Sequence, residues 1–400
     1  MKRILAIDGD FFANRTLGYL NMGDKTNNVE TPEEILEFKI SLKTGLLNLY
    51  KYFQPFIENI VFVCDNNSWR KEVEPFKPYY VDDSKLLGYK ENRVIVKEKS
   101  TINYSNFRKF YREFIEDIKS NIIVFDIKGL EGDDNLLLLS DKISTKSDCE
   151  MIVFCTDGDL KQIVKDNVIL MRNIKSKESP FGEFVLNFNK YNELFNKSLK
   201  DVFLSKQTDY NELFNMTLGN GKFERTLNKG ITIANPFQVA LTKSICGDKK
   251  DNLFSIMGWK SKTGNINYNI TEAIISKALK KFNLEFDELT SQKIFADKDL
   301  LLNLIITIKD ITNQSDANIS TIIKHLKHNM KLNILTKSNI PVDYCNEFDN
   351  VYNEFEDYII NGQFNSIFLE NLISKYTSNN SENSVGLDKG KSLLLNSIIE

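Results

Sequence analysis

Short apolar runs alternate with segments of helical periodicity over the first 170 residues. RILAI (3–7), NIVFVC (59–64), NIIVF (121–125), MIVFC (within 150–155) and VILM (168–171) are β-branched and apolar without a polar alternation, as strands buried on both faces are. Between the first two runs, Thr31 is followed by Pro32 and, three positions on, by Glu34. This is a capping box with proline at the first helical position, and it predicts a helix to about Tyr52. Strands interleaved with helices predict an α/β fold, with a parallel central sheet flanked by helices and functional groups beyond the carboxyl ends of its strands.

Residues 175–235 break this pattern. They contain the hexamer YNELFN twice (191–196 and 210–215), too little for a repeat architecture, and read as an insertion of unassigned role. From 236 the chain reads as mainly helical. Thr271 is a plausible cap, Ile274, Ile275, Ala278, Leu279 and Phe282 share a face, and Lys277, Lys280 and Lys281 lie off it. Residues 376–400 read as a polar, flexible tail with a final apolar patch. The expected organisation is thus an α/β core over 1–174, the insertion, a helical part over 236–375 and the tail.

A chain of 400 residues with 42% hydrophobic and 27% charged positions can bury a large core. The opening MKRILAID loses its apolar run at Asp8, which predicts neither a signal peptide nor a membrane span and hence a cytoplasmic protein. Five cysteines without a CxxC pair are expected to be reduced thiols in or near the core. The net charge of −3 gives no global basicity, yet Arg70–Arg112 carries eleven Lys/Arg against six Asp/Glu, and Lys243–Lys281 eight against three. Nine aromatic residues between Trp69 and Tyr111 serve either core packing or stacking on an unpaired strand.

Acidic residues follow the predicted strands. Asp8 ends the first and Asp65 the second; Glu131, Asp133 and Asp134 (LEGDDN) follow the third; Asp157 and Asp159 (CTDGDL) follow the fourth; Asp248 and Asp251 (CGDKKDN) come much later. An aspartate after a strand is commonly a cap or turn former, but the joint series is harder to explain that way. Converging carboxylates repel one another unless cations sit among them, and hard oxygen ligands suit Mg²⁺, with Mn²⁺ as a substitute. Two such ions fit hydrolysis of a phosphodiester. The two histidines, His325 and His328 in KHLKHN, are expected on a solvated helix face, which argues against a Ser-His-Asp triad or a multi-histidine zinc site.

The series IDGD, VFVCDNNSWRK, YKENR, EGDD, TDGDLKQI and GDKKDN resembles, in order and over roughly residues 1–310 without the insertion, the 5′ nuclease or flap endonuclease superfamily (PIN-like), and within it the branch holding the ribonuclease H of T-even bacteriophages. The resemblance implies 5′ to 3′ exonuclease and flap endonuclease activity on DNA, with cleavage of RNA in RNA/DNA hybrids. By position, Asp8, Asp65, Glu131 and Asp133 match ligands of a first metal ion and Asp157, Asp159 and Asp248 those of a second, with Asp134 and Asp251 in support. Arg70, Lys71, Lys90 and Arg93 match basic residues that orient the scissile phosphate near a helical arch, here about 70–112. Lys77 competes with Lys90 for the arch lysine, because the chain carries extra residues between Lys71 and Tyr89. A helix-hairpin-helix after GDKKDN is degenerate, leaving Lys249, Lys250, Lys260 and Lys262 to grip duplex DNA. Implied partners are DNA with 5′ flaps or nicks, RNA/DNA hybrids and a single-stranded-DNA-binding protein; a viral chain would work in its host's cytoplasm. Asp10 receives no role.

Two alternatives belong to other classes. IDGD and GDKKD also fit a haloacid-dehalogenase-like phosphatase, although Phe12 stands where Thr or Val is usual and the EGDD and TDGD groups would be unused. A catalytically inactive DNA-binding module would require missing acids, and every expected carboxylate is present.

Overall fold

The computed structural model describes residues 2–22, 26–54, 57–78, 88–172, 183–187, 231–257, 259–260, 266–267, 270–313, 317–365 and 367–378. Its centre is a seven-stranded sheet in the order β3-β2-β1-β4-β5-β6-β7. The strands are β1 (Lys2–Asp8), β2 (Asn59–Val63), β3 (Ile123–Phe125), β4 (Cys149–Phe154), β5 (Val168–Arg172), β6 (Glu183–Leu186) and β7 (Ile231–Ile233). β1 to β5 run parallel, β6 pairs antiparallel to β5, and β7 parallel to β6.

All five apolar runs become strands, and their period of two explains why they are apolar throughout. Ile4, Ala6, Val61, Val63, Phe125, Met151 and Val153 feed one core, while Leu5, Ile7, Ile60, Phe62, Ile152 and Phe154 feed another on the opposite face. The second core is closed by α1 (Gly9–Leu20), α2 (Pro32–Phe53) and α4 (Tyr104–Ile118); α3 (Asn92–Glu98) lies at the edge of the site. The capping box at Thr31 forms as expected: Glu34 N–H reaches the Thr31 hydroxyl, and the Glu34 carboxylate accepts from Thr31 N–H. Trp69, Tyr89, Phe107, Phe110 and Tyr111 are all buried, so most of the basic region's aromatic residues pack in the core. Tyr79 and Tyr80 lie outside the described residues.

The first core is closed by α5 (Gly132–Ser144) and, from far along the chain, by α11 (Val342–Asn361). Phe348 on α11 is fully buried and stacks on Phe125 of β3 at 4.8 Å. The last described helix, α12 (Ile367–Ser378), returns to α2 on the other face, where Leu369 joins the second core. The stretch 236–375 therefore divides. α6 (Pro236–Cys246), α7 (Glu272–Lys280), α8 (Glu288–Ala296), α9 (Lys298–Ile311) and α10 (Ile319–Asn333) build a third core of their own, while α11 and α12 complete the sheet. Between α6 and α7 stand a 3-10 turn (Lys249–Asp251) and a two-stranded ribbon, β8 (Trp259–Lys260) with β9 (Ile266–Asn267). The stretch read as an insertion supplies β6 and β7 from its described ends, which extend the sheet.

The order places β1 between β2 and β4, so successive crossovers leave β1 in opposite directions. A crevice opens beyond the carboxyl ends of β1 and β4, where ligands bind in open parallel sheets. Among the described residues, no helix is long and apolar enough to cross a membrane. Because α11 caps the sheet from outside the α/β core, Phe348→Ala should lower the unfolding free energy by about 3–5 kcal/mol in urea denaturation. A loss below about 1 kcal/mol would show that α11 is an accessory to the sheet.

Candidate active site

Asp8 closes β1 and caps α1 in the same step, its Oδ1 accepting the Phe11 N–H at 3.0 Å. Gly9 lets the turn press against β2: a Cβ there would lie 2.3 Å from both the Phe62 ring and the Tyr111 hydroxyl. Asp10 turns toward the next strand and accepts the Asp65 N–H at 2.9 Å. Asp65 in turn accepts the N–H of Gly132, the first residue of α5, at 2.6 Å, the favoured place for a carboxylate at a helix N-terminus. Cys155 ties β1 to β4: its thiol donates to Asp8 Oδ2 at 2.9 Å, and its sulfur accepts the Asp157 N–H at 3.3 Å.

The crevice is electrostatically overloaded. Burial, then the charge of Asp65, pushes Asp8 up to about 6, and the same two causes push Asp10 up to about 7. Burial, then Asp157 and Asp8, raises Asp133 well above the carboxylate range. Asp65 is open to solvent on one side, yet desolvation by the surrounding protein and the Glu131 charge raise it as well. Asp159 is also raised by burial, against the opposing pull of Lys243. The structure thus brings together Asp8, Asp65, Glu131, Asp133, Asp157 and Asp159, and it adds Asp10, which the sequence left without a role. The signal for Asp10 was its place in the first turn of a helix that starts directly from the strand.

Other acids are already neutralised by protein cations. Desolvation would raise Glu131, but Lys90 and Arg70 hold it below its ordinary value; Lys90 Nζ donates to Oε1 at 2.6 Å, and Arg70 Nη1 and the Tyr89 hydroxyl each lie 3.2 Å from Oε2. Asp134, with no exposed surface, is taken up by Arg70 in a two-pronged pair at 2.7 and 2.8 Å and by Trp69 Nε1 at 3.1 Å. Asp251 pairs with Arg93 and accepts from the Tyr89 hydroxyl at 3.1 Å. Asp248 and Asp159 share the ammonium of Lys243. Among the described residues, no group of three or more His, Cys, Asp or Glu is disposed to hold a metal ion as it stands.

The basic residues divide in the same way. Arg70 is 2% exposed and also donates to the Leu332 carbonyl at 2.9 Å, so the structure places it behind the crevice, locking α5 to α10, and not beside an incoming phosphate. Lys90, in the left-handed region at φ 59°, projects into the crevice among Glu131, Asp251 and Asp65. Arg93 stands half-exposed at the rim, while Lys71, Lys77, Lys249 and Lys250 are exposed. Of the two arch-lysine candidates, Lys90 is the one in contact with the acids. The side chain of Lys260 and all of Lys262 lie outside the described residues. Two residues had no sequence signal: Lys243, whose partners are set by the docking of α6, and Cys155. The histidines depart from the expected solvated face. His325 is 3% exposed and stacks on Phe76 at 4.4 Å, and burial lowers it to about 3.

Two outcomes follow from this distribution of charge. Groups raised in the folded state contribute stability that is full below their unfolded pKa and is lost as pH rises through the folded value. In chelator, Tm should therefore fall between about pH 4 and about pH 7, the window between the ordinary carboxylate value and the raised values of Asp8 and Asp10, and Mn²⁺ added at about pH 8 should raise it; a flat or rising Tm in scanning fluorimetry contradicts the crowding. Asp134→Ala removes the two-pronged partner of the buried Arg70, leaving Glu131 as its counter-charge, and should cost about 3 kcal/mol in denaturant unfolding.

No protein-family model matches the chain, and no curated protein matches it. Among solved structures, it is similar to the T5 5′-exonuclease with bound zinc, at 17% identity and a TM-score of 0.46 over 88% of this chain and 99% of the other. A T5 D15 protein crystallised with metal ions is 15% identical with a TM-score of 0.48, over the same shares of the two chains. The bacteriophage T5 D15 flap endonuclease, in a pseudo-enzyme-product complex with DNA and metal ions, is 15% identical with a TM-score of 0.46 over 94% of this chain and 100% of the other.

Proposed function

We propose that this chain is a divalent-metal-dependent nuclease that hydrolyses phosphodiesters near the 5′ ends of DNA, as a 5′ to 3′ exonuclease and flap endonuclease, and removes RNA from RNA/DNA hybrids in replication or repair. The observation that carries the reading is the crowding of Asp8, Asp65 and Asp157 after β1, β2 and β4 with Asp133 from the first turn of α5, Asp8, Asp65 and Asp133 being held above the ordinary carboxylate range. Such crowding has no structural benefit by itself and is relieved by cations. The ordered motif series from IDGD to GDKKDN supports the 5′ polarity and the RNA activity.

The donor set fits Mg²⁺ or Mn²⁺. Carboxylate oxygens of Asp8, Asp65, Glu131 and Asp133 would hold one ion and those of Asp157, Asp159 and Asp248 a second. When bound, such ions supply an activated water and stabilise charge at phosphorus. The protein's own part is positioning. Gly132 N–H fixes Asp65, Cys155 fixes Asp8, and the Asp159 N–H fixes Asp157 through its Oδ1 at 2.9 Å. Lys90 offers an ammonium to a phosphate oxygen from within the crevice, and Arg93 with Lys71 lines the approach. Exposed Lys249 and Lys250 serve the duplex, as do Lys260 and Lys262 in this reading, with a single-stranded-DNA-binding protein as the partner that delivers the substrate.

The test is the pair Asp157→Asn with Asp159→Asn on a labelled 5′-flap duplex in Mg²⁺. Cleavage should be abolished while DNA binding stays within roughly tenfold, since binding rests on phosphate contacts elsewhere. Full cleavage by this variant, or turnover of p-nitrophenyl phosphate in place of the flap, rejects the reading. Lys90→Ala should lower kcat far more than it raises KM, because a contact made to the developing charge acts on turnover. An equal loss from Lys77→Ala alone would move the role to the earlier lysine.

A further inference from the structure

We propose that the ammonium of Lys243 is a resident counter-ion of Asp159 and Asp248, so that this pair takes up a divalent cation only by exchange, the lysine side chain leaving as the ion enters. The inference rests on the reading of the acidic crevice as a divalent-cation site. Lys243 lies in the last turn of α6, with its side chain 22% exposed. Its Nζ sits 2.8 Å from Asp159 Oδ1 and 3.0 Å from Oδ2, and it donates to Asp248 Oδ2 as well. One ammonium thus joins the segment after β4 to the turn after α6, two parts of the chain 89 positions apart.

The two kinds of cation exclude each other. An oxygen within about 3 Å of an ammonium cannot also lie about 2.1 Å from Mg²⁺ without bringing the two cations to about 4–5 Å in a partly desolvated place. The remaining oxygen of Asp248 is already engaged, accepting the Lys250 N–H at 2.9 Å. Two carboxylates with one ammonium leave a net charge of −1, whereas two carboxylates with one divalent ion are neutral, so exchange is favourable without being complete.

The backbone around Lys243 is fixed. Its carbonyl accepts Gly247 N–H at 3.1 Å and Asn333 Nδ2 at 3.0 Å, and Gly247, at φ 71°, ends the helix, itself pressed against the backbone of Leu253 and Phe254. Only the flexible four-carbon stem has to move, and its partial exposure gives the ammonium a path to water. The first set differs: among the described residues, Lys90 forms its ion pair with Glu131, and no lysine bridges two of the acids Asp8, Asp65 and Asp133 as Lys243 bridges Asp159 and Asp248. The structure therefore assigns weaker, exchange-limited cation binding to the second set.

The experiment is a Mn²⁺ titration of the full chain by calorimetry, without nucleic acid. The unaltered protein should show a tighter and a weaker class of site. Lys243→Met should tighten the weaker class at least about tenfold and leave the tighter class within about twofold, whereas Lys243→Arg, which keeps the charge, should leave both unchanged. Lys243→Gln, neutral and polar, repeats the measurement should the methionine variant fail to give a native melting transition. A weaker class that is unchanged or weakened in both neutral variants overturns the exchange, even with Mn²⁺-dependent cleavage intact. No Mn²⁺ bound by any of these proteins overturns the parent reading as well.

Discussion

Mutual repulsion among carboxylates in one desolvated crevice is the constraint around which this structure is arranged. Parallel strands deliver their terminal residues to the same edge, and here the residues delivered from β1, β2 and β4 are Asp8, Asp65 and Asp157, with Asp133 from the first turn of α5. Held this close, they would disperse in a looser scaffold. Three of them are fastened by short bonds: Asp8 by Phe11 N–H and Cys155, Asp65 by Gly132 N–H, Asp157 by the Asp159 N–H. The cost of crowding is displaced onto the proton equilibria of Asp8, Asp10 and Asp133.

A second layer of charge stands behind the first. Arg70, buried and saturated by Asp134, Glu131 and the Leu332 carbonyl, joins the start of α5 to the end of α10. Through it the helical lobe is registered against the sheet. Tyr89 then places one hydroxyl between Glu131 and Asp251, acids separated by 120 positions in the chain. Removing either partner of such a pair leaves an isolated buried charge, so this layer acts as a rigid frame for the more open acids in front.

The three cores show why the frame can be rigid while the helical lobe remains a separate packing unit. Two cores share the sheet, and the third is formed by α6 to α10 and the segments that join them. Contact between the lobe and the sheet is partly apolar, through Leu253 and Leu332 in the first core, and partly polar: Lys243 to Asp159, Gln162 to the Asn333 carbonyl, Arg93 to Asp251. α11 and α12 then return to the sheet with apolar side chains, Phe348 on one face and Leu369 on the other, so these two helices close both cores of the sheet.

Local pattern in the sequence determined the five parallel strands, the capped helix at Thr31 and the row of acids after the strands, because strand period, capping chemistry and turn preference are properties of a few neighbouring residues. The acids could be found since each lies within a few positions of a strand end. Tertiary structure alone decided which acids remain open and which are bound to a cation. Arg70 reads as a phosphate ligand from its neighbours and is buried behind them; Asp10 reads as spare and joins the cluster; His325 reads as solvated and is stacked on Phe76; Lys243 carries no signal and sits between two acids. Each of these depends on a partner 50 to 250 positions away. Pairing at that range is set by how helices dock on a sheet, which no local window of sequence encodes.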